Sequence, residues 1–140
     1  MINTENGNLQ LENIKLIIKK GLTRDEFMQS DLFYDVLNQD DYGYVRYYIK
    51  PQTICEQKFV IALLFKPDKS LSSVTLGLAI DGAIPTWENW SEEDELRKKA
   101  LLGKWLEKNV GEPPYDYTWG SMTLTYDRRS ASSHITISYN

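Results

Sequence analysis

The sequence predicts an α+β fold: an antiparallel β-sheet, built from a central three-stranded meander plus a C-terminal hairpin, packed against two helices. Three observations carry this. Residues 42–80 contain three successive strand-like runs, residues 91–109 contain one long helical run, and residues 117–139 contain two alternating runs around a polar turn. The order is strand, helix, three strands, helix, two strands, which suits α+β rather than repeated βαβ units. A chain of 140 residues is expected to form a single domain over 1–140, burying roughly 68–70% of the surface its unfolded chain exposes.

Residues 1–8 are polar and are expected to be frayed. In "LQLENIKLII" (9–18), Leu9 and Leu11 alternate, and Ile14, Leu16 and Ile18 alternate after a slip at Asn13. That reads as a strand bulged at Asn13, with a short helix bearing Leu11, Ile14 and Ile18 as its rival. In "GLTRDEFMQS", Thr23 and Glu26 form a capping box, and Leu22 and Phe27 flank it as a hydrophobic staple. A helix therefore starts near Arg24 and is expected to run on into "DLFYDVLNQ", as one helix or two, burying Phe27, Leu32 and Val36.

The meander follows. "YGYVRYYIK" places Val45, Tyr47 and Ile49 on one face and Tyr44, Arg46 and Tyr48 on the other. "KFVIALLFK" is apolar on both faces, which predicts a central strand covered on both sides. "SSVTLGLAI" turns Val74, Leu76, Leu78 and Ile80 inward, and "KPDKS" supplies the turn between these two strands.

Ser91 is a natural N-cap for the long helix. Glu92, Glu93, Asp94 and Glu95 favour its positive end, Lys104 and Lys108 its negative end, and Gly111 with the following prolines stops it. At about 100° per residue, Leu96, Ala100, Leu102, Gly103, Leu106 and Val110 share an arc expected to face the sheet. Leu101 and Trp105 then fall on the opposite side. An apolar patch there requires a cover. Trp87, Trp90 and Trp119 supply one from within the chain; a partner protein is the other reading. The C-terminal hairpin pairs Met122, Leu124 and Tyr126 with Ile135, Ile137 and Tyr139 around "RRSA".

Composition narrows the function classes. The net charge of −4 and pI near 5.0 argue against nucleic acid and anionic membranes as partners. Cys55 is the sole cysteine, so no intrachain disulfide forms. The N-terminus has no signal-peptide pattern, and the longest apolar run, "VIALLF", is too short for a bilayer, so a cytoplasmic location is expected. No spacing of Cys, His or acids matches a metal site, no glycine loop matches a phosphate site, and no cofactor is expected. His134, the single histidine, reads as an outward polar residue alternating with Thr136 and Ser138. A hydrolase using it with a carboxylate is the least favoured reading.

Tyrosine and tryptophan are interface-rich types and equally ordinary core and lid residues, so the aromatic concentration is read first as an intramolecular cover and second as a binding surface. The candidate surface comprises Trp87, Trp90, Glu92, Glu93, Asp94, Leu101, Trp105 and Trp119, with Arg128 and Arg129 at the hairpin tip as a second candidate. The opening W-x-x-W-S, K-W-L in the helix, "GEPP", "YTWG" and the D-R-x-S hairpin resemble the C-terminal part of small bacterial proteins found beside polymorphic or contact-dependent toxins. Some of those act as immunity proteins. The likeness covers the last 55 residues or so and implies a cytoplasmic, non-enzymatic protein that binds and blocks a toxin domain. A small-ligand binding protein, with a pocket between meander and helix lined by Tyr44, Tyr48 and the tryptophans, is the alternative.

Overall fold

The computed structural model describes residues 1–79, 92–127 and 132–140. The alternating runs form one seven-stranded sheet in the order β3-β4-β5-β6-β9-β8-β7. Its strands are β3 (Val36–Tyr42), β4 (Tyr44–Ile54), β5 (Gln57–Phe65), β6 (Leu71–Leu78), β7 (Asp116–Tyr117), β8 (Gly120–Asp127) and β9 (Ser132–Tyr139). Each pair of neighbouring strands is antiparallel. The expected meander is there, and the C-terminal hairpin is joined to it by β6 pairing with β9, Val74 opposite Ile137 and Leu76 opposite Ile135.

Register makes one face apolar across the sheet. Val45, Tyr47 and Ile49 lie beside Phe65, Leu63 and Ile61, which lie beside Val74 and Leu76, then Ile137, Ile135 and Met122; all are buried. Elements from both ends of the sequence cover this face. At the β4 end sit β1 (Leu9–Gln10), β2 (Ile17–Ile18), α1 (Arg24–Met28) and a 3-10 turn over Asp31–Asp35. Phe27 of α1 packs on Tyr47 and Phe65, with ring centroids 4.9 and 5.5 Å away. At the β8–β9 end sits α2 (Glu92–Asn109).

Several expectations are corrected. The 9–18 segment is no single strand: Asn13, at φ +62, turns the chain and two short strands pair with each other, Leu9 opposite Ile18. The capping box on α1 forms as read, with the Glu26 amide donating to Thr23 Oγ1 and the Thr23 amide to Glu26 Oε1. The helix nevertheless ends at Met28, and the continuation is a 3-10 turn followed by a strand, β3. "NQDD" offers poor strand propensity, but Gly43 at φ +90 closes a hairpin that supplies β4 with a neighbour. On β5 only one face is covered, since Val60 is 47% exposed on the other. The meander is therefore four strands long, and the short β7 adds a strand to the C-terminal pair.

The N-terminus is packed, not frayed. Ile2 is buried, Trp119 Nε1 donates to the Thr4 carbonyl at 2.8 Å, and Tyr139 Oη donates to the Gly7 carbonyl at 2.9 Å. Gly7 lies flat on the Trp119 indole with φ +76, and a Cβ there would sit 2.5 Å from ring carbons. Burial pushes the Tyr139 phenol well above its ordinary pKa, so it stays a donor. The β1–β2 loop is held by Asp31, whose carboxylate accepts from the Lys15 amide at 2.6 Å and the Leu16 amide at 3.2 Å.

Two outcomes follow from these contacts. Gly7→Ala is expected to lower stability by about 1–3 kcal/mol, read as a lower urea midpoint with unchanged slope; an unchanged midpoint would refute the Gly7–Trp119 contact. The Lys15 amide, more than any other group, holds the Asp31 carboxyl below its ordinary pKa of 3.8. A folded-state pKa below the unfolded one stabilises above the unfolded value and loses that effect as pH falls through the folded value. Asp31→Asn is therefore expected to cost about 1 kcal/mol at neutral pH, with the gap to the wild type closing as pH drops below 3.8. A gap that persists at pH 2–3 (about the acid limit of carboxylate titration) would count against the charge being responsible.

Candidate functional site

The predicted tryptophan surface divides between core residues and positions outside the described ones. Trp105 is 9% exposed and packs edge-on against Phe59 of β5, with centroids 4.9 Å apart. Leu102 and Leu106 are buried beside it, and Gly103 brings α2 close to Leu124. The buried stripe of α2 is therefore centred near Leu102, about 90° round from the centre of the arc expected from Leu96 to Val110. A tryptophan buries far more apolar area than an alanine or glycine, so the helix turns its indole to the sheet. Leu96 and Leu101 remain 48% and 50% exposed. The reading of Trp105 as an outward residue paired with Leu101 is corrected accordingly.

Trp119 is 4% exposed, stacked on Tyr117 at 5.0 Å with rings 6° from parallel, and tilted against Tyr139. It fastens the N-terminal segment rather than covering α2. Glu93 is exposed on the first turn of α2, the turn that also holds Glu92 and Asp94. Trp87, Trp90, Arg128 and Arg129 lie outside the described residues, as does the Ser91 cap.

The pocket expected between meander and helix has the wrong walls. Tyr44 and Tyr48 alternate with the buried Val45, Tyr47 and Ile49, so they point to the sheet face away from α2. That second face is the principal uncovered feature. Register ranks its side chains: Asp40, Arg46, Leu64, Ser73, Ser138 and Ser121 in one row, and Asn38, Tyr48, Ala62, Thr75, Thr136 and Thr123 in the next. The β6–β9–β8 half is thus paved with hydroxyls. The β3–β4 half carries tyrosines and charge, with Tyr48 Oη donating to Asp40 Oδ2 at 2.9 Å. Tyr42 and Tyr44 flank the Gly43 turn at 90% and 48% exposure.

His134 stands on this face opposite Thr125, half-buried, in the outward alternation expected for it. Cys55 lies in the β4–β5 turn at φ +47. Among the described residues, no group of three or more His, Cys, Asp or Glu is arranged to hold a metal ion, and no helix is long and apolar enough to cross a membrane.

Sequence reading missed the β3–β4 hairpin as a surface because it took 31–39 for helix. The signal was present in "DDYGY": a glycine between two tyrosines, ahead of a strictly alternating strand. No protein-family model, curated protein or solved structure matches the chain.

The two buried indoles differ in one respect that mutagenesis can read. Trp119 Nε1 has the Thr4 carbonyl, while Trp105 Nε1 is buried without a hydrogen-bond partner. Trp119→Phe is expected to cost about 1 kcal/mol more than Trp105→Phe, because only the former removes a hydrogen bond, the part-buried one to the Thr4 carbonyl. Chemical denaturation of both variants checks this; equal losses would show that the Thr4 bond contributes nothing.

Proposed function

We propose that the chain is a non-enzymatic protein-binding module, a cytoplasmic bacterial protein of the immunity type that binds and blocks a toxin domain. The observation that supports this is where large apolar side chains are left outside. Tyr34, Leu37, Tyr42, Tyr44 and Val60 are 47–90% exposed, and all belong to the β3-side half of the molecule. Folding gains nothing from a solvent-facing tyrosine, whereas association does: tyrosine brings a large rigid contact area at low entropic cost and dominates many interfaces. The adjoining Ser and Thr rows suit the adaptable polar part of such an interface.

The resemblance of the C-terminal segment to toxin-neighbouring proteins supports a toxin domain as that partner. The acidic balance of the chain, −4, favours a basic one by charge complementarity. Production of the chain in bacteria that also make the toxic domain encoded next to its gene is expected to restore growth, with the two proteins co-eluting in one complex. Failure to restore growth, with the chain eluting alone, would sink the proposal.

A further inference from the structure

Charge and exposed aromatics coincide on one flank of the molecule. Residues 25–45 hold six acids and no Lys or Arg, so this block carries −6 against −4 for the whole chain. It spans most of α1, the 3-10 turn, β3 and the β3–β4 turn, and ends at Val45 of β4, just before Arg46. Five of the ten large apolar side chains that stand exposed among the described residues fall in the same block, among them Tyr34 at 88%, Leu37 at 63% and Tyr42 at 90%.

β3 is an edge strand of the sheet, and edges are commonly guarded against stray pairing. Guarding explains part of what is seen. The register shifts between Val36 and Asn38, Asn38 Oδ1 accepts from the Gln39 amide, and Asp40 and Asp41 place charge on the strand. It does not explain Tyr34, Leu37 and Tyr42, which make an edge more adhesive. Acids that repel copies of the same chain, beside aromatic rings free to make contact, suit a partner of opposite charge.

We infer that this flank, the 3-10 turn with β3 and the β3–β4 turn, is the docking surface for a folded protein presenting a basic face. The inference rests on the reading of the chain as a protein-binding module and names its contact surface. The carboxylates can meet lysine and arginine: Asp35 accepts from Gln52 Nε2, Asp40 from Tyr48 Oη and Asp41 from the Gly43 amide, each through one oxygen. The tyrosine rings add cation–π contacts to the same cations. Arg24 at the start of α1, Arg46 and Lys50 on β4 and Lys15 on the β1–β2 loop lie close to this flank, four bases against the six acids, and they offset it only in part.

Deca-lysine titrated into the isotope-labelled chain, followed by amide chemical shifts, tests the surface. Expected are saturable shifts confined to residues 31–46, abolished by about 0.5 M salt, where screening is short-ranged. Asp40→Asn/Asp41→Asn keeps the hydrogen-bond acceptors and removes the charge; Tyr34→Ala/Tyr42→Ala removes exposed rings. Each pair is expected to weaken binding at least threefold (about 0.65 kcal/mol) with an unchanged melting temperature. Shifts as large at the other acid run, Glu92–Glu95, shifts that do not saturate, or affinity unchanged in either pair would overturn the assignment. The growth experiment separates the two readings. Rescue undiminished by both double variants overturns this surface and leaves the binding role standing, whereas absence of rescue by the wild type overturns both.

Discussion

The pairing of β6 with β9 is the constraint on which the rest of the structure depends. Residues 71–78 and 132–139 are separated by the whole of α2 and the β7–β8 hairpin. Until they meet, the chain consists of two meanders, each with an open edge. Once Val74 faces Ile137 and Leu76 faces Ile135, the two apolar faces become one. A slip of a single residue would turn Ile135 and Ile137 to the hydroxyl-bearing side and bring Thr136 into the core. The long closure is entropically costly, and the burial of Ile, Leu and Val side chains along the seam, about 1.5–3 kcal/mol each, offsets it.

A sheet with one apolar face needs a cover, and this chain divides the task. The N-terminal third covers the meander, with Phe27 on Tyr47 and Phe65, and α2 covers the C-terminal strands and reaches Phe59 of β5 through Trp105, with Leu102 and Leu106 buried beside it. The two covers are fixed differently. α2 is held by a narrow apolar stripe. The N-terminal cover buries Leu9, Leu11, Ile18, Leu22, Phe27 and Leu32, and directional bonds add to this: Trp119 to Thr4, Tyr139 to Gly7, and two backbone amides to Asp31. Polar residues 3–8 offer little apolar area to bury, so hydrogen bonds and the Gly7–indole contact take that role.

Covering one face leaves the other free, and its two halves differ in character. The serine and threonine rows over β6, β9 and β8 are well solvated and need no further explanation. The half toward β3 combines the exposed Tyr42 and Tyr44 with Tyr48 and Asp40. Strand β3 joins the covered and uncovered sides, since the 3-10 turn that precedes it anchors the β1–β2 loop through Asp31 while its own edge faces solvent. The surface proposed for a partner is thus built directly onto the element that fastens the N-terminal cover.

Local pattern determined much of this protein from sequence alone. The antiparallel α+β class, the alternation that selects Val45, Tyr47 and Ile49 for the core, the Thr23–Glu26 capping box, the long helix and the C-terminal hairpin were all readable there. Each rests on interactions within a few residues or on a period of 2 or 3.6 (the strand and helix repeats). Tertiary structure decided what competes across distance. Residues 36–42 became a strand because β4 needed a neighbour, against their own propensity. Val60, Ala62 and Leu64 form an apolar row that periodicity alone would bury, but among the described residues the covering elements lie on the other side. Trp105 turned inward because the sheet presents Phe59 to it there. The polar N-terminus was ordered by a tryptophan and a tyrosine more than a hundred residues away. Which aromatic is core and which is surface is a question of burial by distant elements, and no local period encodes it.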